Sequence, residues 1–466
     1  MTFFVLALGL ILRLINLNQS FWLDEASQAQ QSALSLSQIW SGRPADFHPP
    51  LFYTLSHFWL QFGRSEIWLR LLPVTFGVAN IYVLYLFARK LFPDKKIIIG
   101  HWTLKIEHLA GLLLSAAPFH IYYSQEFRSY SLLGLLGTLA MYFTHQRRFI
   151  WLAATNLILL YTHYSSIFII FTQLAYFAIY SRKALTKFII HNILFLVLYL
   201  PWFPQFSRQL NAGSRIDEYL PGWRNILSIS PIKAFPVILF KLIAGRITFV
   251  SRPLYFAYFA SVMVITLFSL LVARSQAKSF LFVWSFLPIF IMLLTSLAFP
   301  QNQPFRVIYV LPALILLIVT ACLRFPKLFL TLFMYIALVG NIAYFTRPRL
   351  QREQWSQAAI FLQSQAGVVI IKFPGNFAPL DWYAPDLSVI AAVPTMPARS
   401  EEVAMKLSSL QASTTPVYLL EYLTDLSDPN RIVDNTLDQL GYTVSRTYDF
   451  PGVGFIYKYD KNDNRI

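Results

Sequence analysis

The sequence is 466 residues long, and 56% of these residues are hydrophobic while only 13% are charged. Soluble domains carry about 25% charged residues, so this composition, with a mean hydropathy of +0.52, excludes a soluble protein and indicates a polytopic membrane protein. The net charge of +16 does not indicate nucleic-acid binding, because lysine and arginine cluster in short loops between apolar runs, as membrane topology predicts.

The apolar runs of residues 1–345 predict an α-helical polytopic membrane module with about 11 transmembrane helices. A span takes about 20 apolar residues, or fewer where neighbouring helices shield it. The first run lacks a basic leader and a small-residue cleavage site, which predicts an uncleaved span. The candidate spans are residues 3–16, 67–88, 107–122, 129–144, 149–163, 165–180, 188–203, 253–272, 280–298, 307–322 and 328–345.

The most basic loops set the orientation of these spans. Residues 88–96, 145–148, 181–187, 273–278 and 324–327 are strongly positive and should all be cytoplasmic. An even number of spans must then separate each loop from the next, which divides the runs 149–180 and 107–144 at their polar middles, 162–166 and 125–128. The N-terminus is then cytoplasmic and the chain after residue 346 is external. The same topology predicts that the following residues lie on the external side: Asp24, Glu25, Asp46, His48, Glu126, Arg128, His163, Asp217, Glu218 and Arg306.

Two connecting segments are predicted to be external without crossing the bilayer. The loop 17–66 is too polar in its first half to span, and residues 47–62 predict an aromatic-rich interfacial helix that begins at Pro49 and Pro50. Residues 204–250 are predicted to be external and partly interfacial.

After residue 345 the composition changes to that of a small α/β domain, predicted to occupy 346–466 and to be external. Helices are predicted at 352–365, at 400–411 with Ser400 as its cap, and at 428–441 with Asp428 and Gly441 at its ends. Alternating helices and strands imply a compact α/β unit. The predicted strands are 367–373, 387–393, 415–423 and 453–461.

Asp24 and Glu25 are the first candidate catalytic residues. Carboxylates at a bilayer edge are costly to bury, which makes them functional candidates. One carboxylate that accepts a proton from a hydroxyl is the simplest general base. The alternative is that Asp24 caps a following helix, with Glu25 in its first turn, and capping does not exclude catalysis.

Glu126, Arg128 and Tyr130 form a second candidate group, between two spans. An arginine there can bind a phosphate through two parallel hydrogen bonds, although it can equally extend to lipid headgroups. On a helix Glu126 and Arg128 would not face each other, whereas Glu126 and Tyr130 would share a face.

Three further residues are candidates for substrate binding. His48 precedes two prolines and either orients substrate or is an ordinary loop histidine. His163 either binds substrate or packs between helices, and packing is the favoured interpretation. Arg306 opens a late span, where it either holds a lipid phosphate or anchors the helix.

These residues together resemble the GT-C superfamily of membrane glycosyltransferases, which use polyprenyl-phosphate sugars. The resemblance is closest to the family of protein O-mannosyltransferases and bacterial lipid A aminoarabinose transferases. It rests on Asp24-Glu25 after the first span, on His48 to Tyr53, on Gln125 to Tyr130, and on the Arg-x-x-Tyr-x-x-Pro pattern from Arg306 to Pro312. It covers most of residues 1–345.

The resemblance implies an inverting hexosyl- or pentosyltransferase at the outer face of a bacterial plasma membrane. Asp24 would be the base that deprotonates an acceptor hydroxyl, and Arg128 would bind the phosphate of a polyprenyl-phosphate sugar. Glu25, Glu126, Tyr130, His48, Arg306 and His163 would complete the site, with no obligatory metal cofactor. The acceptor is a lipid, glycan or protein, although the small α/β domain differs from the β-trefoil modules of eukaryotic O-mannosyltransferases.

Two other functions stay open at this point. A transporter or flippase of lipid-linked saccharide would place its charged sites near the membrane midplane, whereas the acids here lie at one predicted edge. A surface-polysaccharide polymerase or ligase would use a lipid-linked oligosaccharide, and would therefore transfer many sugars in place of one.

Overall fold

The computed structural model describes residues 1–42, 47–219, 222, 228–248, 251–272, 277–375 and 377–462. Asp46 and residues 273–276 of one basic loop lie outside this part of the chain. The chain divides into two compact units. The first comprises Met1–Leu17, Gln31–Ser214 and Leu227–Leu350, and the second comprises Asn18–Gln30, Arg215–Ile226 and Gln351–Ile466.

The first unit consists mainly of apolar helices. A 3-10 helix at Val197–Trp202 joins the helices Arg182–Leu196 and Phe203–Ser214, and another at Pro304–Val310 leads into the helix Leu311–Cys322. In chain order the helices up to residue 346 are α1 (Thr2–Leu14), α2 (Leu23–Ser32), α3 (Leu36–Trp40), α4 (Leu51–Leu60), α5 (Glu66–Leu91), α6 (Ile106–Ala116), α7 (Pro118–Ser124), α8 (Tyr130–Gln146), α9 (Phe149–Thr162), α10 (Ser166–Tyr180), α11 (Arg182–Leu196), α12 (Phe203–Ser214), α13 (Ile216–Tyr219), α14 (Pro231–Ala244), α15 (Arg252–Val272), α16 (Lys278–Thr295), α17 (Leu311–Cys322) and α18 (Pro326–Thr346).

The apolar runs of the sequence are helical, which makes this a multi-pass membrane protein. Within the described residues, six helical segments are long and apolar enough to cross a membrane, and four apolar helices are shorter. The two long runs divide where the loop charges predicted, because α7 ends at Ser124 before α8, and α9 ends at Thr162 before α10. Residues 47–62 also contain the predicted helix, α4, which begins after Pro50.

Small residues let some of these helices approach closely. At Gly340 of α18, a β-carbon would lie 2.8 Å from the carbonyl oxygen of Ala244 and 2.7 Å from Pro118 Cγ. Small residues at such crossings are typical of membrane helices, whose association depends on close van der Waals packing.

One element of the first unit was not predicted from the sequence. Strands β1 (Lys96–Ile99) and β2 (Trp102–Lys105) pair antiparallel, with Ile97 opposite Leu104, between the predicted spans 67–88 and 107–122, where the sequence indicated only the basic loop 88–96. The turn between them contains Gly100 at φ +60°, a conformation that glycine adopts without steric cost.

The second unit contains a five-stranded sheet in the order β4-β3-β5-β7-β6. Strands β4, β3 and β5 are parallel, whereas β7 pairs antiparallel with β5 and β6. The strands are β3 (Val368–Ile371), β4 (Val389–Ala391), β5 (Val417–Leu420), β6 (Tyr442–Phe450) and β7 (Gly454–Lys461). The helices are α19 (Trp355–Gln363), α20 (Ala378–Tyr383), α21 (Ser400–Leu407), α22 (Thr424–Ser427) and α23 (Ile432–Gln439).

Both faces of the central strands β3 and β5 are buried, as parallel strands require. Along β3, Ile370 packs in one core with Val403 and Leu437, while Val369 and Ile371 pack in the other core with Trp355. The alternation follows from the two-residue period of a strand. The predicted α/β fold of this unit and its four predicted strands are therefore confirmed.

The ends of two helices in this unit test the predicted caps. Ser400 is the first residue of α21 and does not cap it, because Arg399 occupies the N-cap position. Asp428 does cap α23, since its carboxylate accepts hydrogen bonds from the backbone N–H of Ile432 at 2.6 Å and Val433 at 3.0 Å. Strand β6 was missed, because most of its side chains are polar and exposed.

Candidate active site

The two acidic candidates lie in the first turn of α2. Because the helix begins at Leu23, Asp24 is inside it and does not occupy the predicted cap position, whereas Glu25 is in the first turn as predicted. Glu25 is fully buried and Asp24 is partly exposed. Of the two carboxylates, Asp24 is therefore the more accessible.

The segment that carries these acids is fixed within the second unit. Ser20 Oγ bonds to Ser356 Oγ at 2.9 Å, and the backbone N–H of Phe21 donates to the Tyr383 hydroxyl at 2.6 Å. At the other end of the segment, Gln30 Nε2 donates to the Ala378 carbonyl at 3.1 Å. The α/β unit thus supplies the framework that holds the start of α2.

Glu353 lies beside the start of α2 and was not singled out in the sequence. Its carboxylate accepts hydrogen bonds from Trp355 Nε1 at 2.6 Å and from the Tyr422 hydroxyl at 3.1 Å, as well as from the backbone N–H of Leu23. Burial and, to a smaller extent, the negative charge of Asp24 together raise the pKa of Glu353 to about 7, against the lowering effect of these hydrogen bonds. A carboxyl that titrates near neutrality thus neighbours the candidate base.

In the first unit, a non-helical loop between α7 and α8 carries Glu126 and Arg128. Gln125 anchors it, donating from Nε2 to the carbonyl oxygens of Arg13 at 3.0 Å and Ile15 at 2.6 Å. Because residues 125–129 are not helical, the helix geometry expected for Glu126, Arg128 and Tyr130 is wrong. The backbone N–H of Arg128 donates to the Glu126 carbonyl at 2.6 Å, so this segment turns sharply before Tyr130 starts α8.

Arg128 and the two candidate histidines come together in this unit. Arg128 Nη2 lies 3.4 Å from His48 Nε2, and the rings of His48 and His163 are 5.2 Å apart. A guanidinium can only donate, so His48 Nε2 is an acceptor there and its proton lies on Nδ1. The ring of Tyr130 is 5.9 Å from that of His163.

His163 is buried and bonded on one side of its ring. Its Nδ1 accepts from the backbone N–H of Ser165 at 3.1 Å. The neutral ring therefore carries its proton on Nε2. The predicted helix-packing role and the binding role are both compatible with this position.

Arg306 joins the same cluster through its backbone. Ser165 Oγ donates to the Arg306 carbonyl at 2.6 Å, and Phe305 packs on Tyr130 with ring centroids 4.6 Å apart. The guanidinium of Arg306 donates from Nη1 to the Pro300 carbonyl at 3.1 Å. Four separate segments of the sequence thus contribute neighbouring residues, at positions 48, 128 and 130, 163, and 306.

A further arginine, Arg246, was missed in the sequence. It follows α14, where Gly245 adopts φ +84° and a β-carbon would lie 2.8 Å from Pro118 Cβ. This close approach places Arg246 Nη1 2.5 Å from the Tyr122 hydroxyl. The only available signal was an arginine directly after an apolar helix.

The described residues contain no group of three or more His, Cys, Asp and Glu residues that could hold a metal ion.

Comparisons with known proteins establish the fold. No protein-family model matches the sequence, and no curated protein matches it. A crystal structure of ArnT from Cupriavidus metallidurans bound to undecaprenyl phosphate is similar with a TM-score of 0.58 and 13% identity, covering 99% of this chain and 98% of that chain. The apo structure of the same protein gives a TM-score of 0.59 at 13% identity and covers 98% and 97% of the two chains.

A structure of the S. cerevisiae protein O-mannosyltransferase Pmt1-Pmt2 complex bound to the sugar donor gives a TM-score of only 0.30. At 12% identity it covers 52% of this chain and 36% of that chain, which is too weak a likeness to define a fold. The likeness to ArnT extends over almost all of both chains. This chain therefore has the ArnT fold, in agreement with the predicted architecture of apolar membrane helices followed by a small α/β domain.

Proposed function

We propose that this protein is an inverting glycosyltransferase that transfers one sugar from a polyprenyl-phosphate carrier to an acceptor hydroxyl. The reaction takes place at the outer face of a bacterial plasma membrane. The observation that carries the proposal is the cluster of the buried residues Arg128, His163 and Tyr130 with the half-buried His48, in a chain whose fold matches a structure bound to undecaprenyl phosphate.

Arg128 is proposed to bind the donor phosphate. Its planar guanidinium can hold two phosphate oxygens at once, and His48 beside Nη2 restricts its orientation. Arg306 and Arg246 are proposed to contribute additional positive charge. Glu126, Tyr130 and His163 are proposed to shape the surroundings of the phosphate and the sugar.

Asp24 is proposed to act as the general base. It removes the proton from the acceptor hydroxyl while the hydroxyl oxygen bonds to the anomeric carbon of the sugar from the face opposite the phosphate. The bond between the anomeric carbon and the phosphate oxygen breaks, and the configuration inverts. Glu25 is proposed to position Asp24 or the acceptor.

The polyprenyl phosphate leaves with the electron pair of the broken bond. Arginines already aimed at the phosphate stabilise the charge that it gains in the transition state. A phosphomonoester leaving group needs less help from a metal than a diphosphate does, so we propose that no divalent metal is obligatory. Lipid, glycan and protein acceptors are all compatible with this chemistry.

The test is an assay in proteoliposomes with a radiolabelled polyprenyl-phosphate sugar. We expect transfer of a single sugar, detected by mass spectrometry of the product. Movement of the donor across the bilayer without transfer would make the protein a transporter, and a product with many added sugars would make it a polymerase.

A further inference from the structure

Glu353 is held beside Asp24 by three different parts of the second unit. The backbone N–H of Leu23 donates to it from α2, the Tyr422 hydroxyl from the segment after β5, and Trp355 Nε1 from α19. The Tyr422 hydroxyl lies 3.1 Å from one carboxylate oxygen and 3.2 Å from the other.

The turn between β6 and β7 closes over the backbone of Glu353. At Gly452, with φ +81°, a β-carbon would lie 2.9 Å from Glu353 Cα and 3.0 Å from its Cγ. No other residue type fits this approach without displacing Glu353. The position of Glu353 is therefore fixed by packing as well as by hydrogen bonds.

The charged and titratable groups around Glu353 come from these same elements. Asp24 and Tyr422 interact with it electrostatically, and Arg352 precedes it in the chain. Glu421, next to Tyr422, pairs with Lys372 at 2.6 Å and with Arg431 at 3.3 Å. Asp24 is thus the carboxylate whose charge is coupled to that of Glu353.

We propose that Glu353 is a positioning residue that sets the strength of Asp24 as a base. When Glu353 is ionised, its negative charge favours transfer of a proton to Asp24, and when Glu353 is protonated this assistance is lost. The inference rests on the proposed function of Asp24. It gives the α/β unit a direct part in the reaction.

The sign of the effect follows from the interaction of like charges. A neighbouring anion stabilises the protonated form of Asp24, which makes its carboxylate the stronger proton acceptor. A shift of one pKa unit is a factor of about 10 in basicity, so the expected gain in turnover is up to about 10-fold. Because the pKa of Glu353 is about 7, turnover of the wild type should rise as the pH passes through that value.

The first experiment is the pH profile of turnover in the purified full-length protein. In Glu353→Gln, which retains the size and the hydrogen-bond acceptor of the protonated acid, the rise should disappear and turnover should stay at the low-pH level. Glu353→Asp restores a charge and should restore a rise. Tyr422→Phe removes a hydrogen bond that favours the ionised form, so the rise should move to higher pH.

Tyr418→Phe is the matched control for Tyr422→Phe. Tyr418 lies on β5 and its hydroxyl donates to Gln365 Oε1 at 3.0 Å, away from Glu353, so the profile should be unchanged. A Glu353→Gln enzyme that keeps the wild-type profile would overturn the proposal, even if its stability were lower.

The second experiment measures the coupling without catalysis. The infrared absorption of protonated carboxyl groups is recorded as a function of pH. Subtracting the spectrum of the corresponding Glu353→Gln protein from that of the wild type, or from that of Asp24→Asn, isolates the titration of Glu353. Removing the charge of Asp24 by Asp24→Asn should lower the midpoint of Glu353 titration, because coupling is reciprocal. An unchanged midpoint refutes the coupling. A lowered midpoint in a protein that transfers no sugar leaves the coupling intact and refutes the proposed function.

Discussion

At the scale of single residues, the largest loss of activity is expected from a substitution of Asp24. Asp24→Asn should leave expression and folding intact, because the side chain keeps its size and is partly exposed. Turnover should fall at least about 100-fold, the usual effect of losing a general base. Initial rates of sugar transfer measure this loss.

The matched control is Asp386→Asn, an exposed acid in the same unit, which should transfer sugar at the wild-type rate. Glu25→Gln should reduce turnover less than Asp24→Asn if Glu25 only positions its surroundings. Near-normal transfer by Asp24→Asn would reduce Asp24 to a residue that favours the helix start electrostatically.

The substitution Arg128→Lys distinguishes an arginine that binds the donor phosphate from one that only contacts lipid headgroups, because lysine could replace the second but not the first. In Arg128→Lys a point charge replaces a planar group with two parallel donors, so donor affinity and turnover should fall together. Donor titrations measure both. Arg64→Lys, at an exposed position, is the control and should be neutral. Superimposable curves for Arg128→Lys and the wild type would identify Arg128 as a membrane anchor.

The candidate residues could be found in the sequence, but many of their neighbours could not. Asp24 and Arg128 are visible as polar groups at the ends of apolar runs. The approach of His48 to Arg128, and of His163 to His48, depends on packing between segments that are distant in the chain. Glu353 could not be identified from the sequence, because the backbone N–H of Leu23 and the hydroxyl of Tyr422 form hydrogen bonds with it only in the folded unit.

At the scale of elements, the α/β unit depends on a buried cluster of charges after β3. Lys372 pairs with Glu421 at 2.6 Å, Asp434 at 2.5 Å and Asp428 at 3.8 Å, and the side chains of Lys372 and Asp428 are 0% exposed. Lys372→Met should destabilise this unit by about 3–5 kcal/mol, since it removes the cation that pairs with the fully buried carboxylate of Asp428 and leaves Glu421 and Asp434 paired with the exposed Arg431. Limited proteolysis in increasing urea, with fragments identified by mass spectrometry, measures the change.

Lys458→Met is the matched control for that substitution. Lys458 pairs with Asp460 at 3.1 Å, but the two side chains are 27% and 42% exposed and screened by solvent, so the urea midpoint of this variant should stay close to that of the wild type. Equal urea midpoints for Lys372→Met and the wild type would show that the charge cluster does not stabilise the fold.

Elements with a strong local pattern were predictable, and those defined by their partners were not. The buried strands β3 and β5 are runs of Val, Ile, Leu and Tyr, and they were predicted. Strand β6 was missed, because its edge position leaves polar side chains exposed and pairing with β7 defines it. The β1–β2 hairpin was missed because its basic residues were interpreted only as a topology signal.

At the scale of the whole molecule, the orientation in the membrane is a prediction from loop charge. A reporter fused after Arg349 should be external, whereas one fused at Lys183 should be cytoplasmic, because the basic loop 181–187 favours the inside. Reporter activity in intact cells measures both. If both fusions were in the same compartment, the number of spans between them would have been miscounted. The candidate site could then no longer be assigned to the external side.

The division of the chain into units was only partly predictable. Residues 18–30 belong to the second unit although most of that unit follows hundreds of residues later in the chain. No local sequence pattern predicts a contact such as the one between Ser20 and Ser356. The sequence predicted an α/β domain at 346–466, but not that the segment with Asp24 would belong to the same compact unit.

The central claim is that the protein binds a polyprenyl phosphate that carries one sugar. Extraction of lipids from the purified protein, followed by mass spectrometry, tests this directly. We expect a polyprenyl-phosphate monosaccharide with Asp24→Asn, which binds the donor but turns it over slowly, and less of it with Arg128→Lys. The absence of any polyprenyl phosphate from both the wild type and Asp24→Asn would contradict the account.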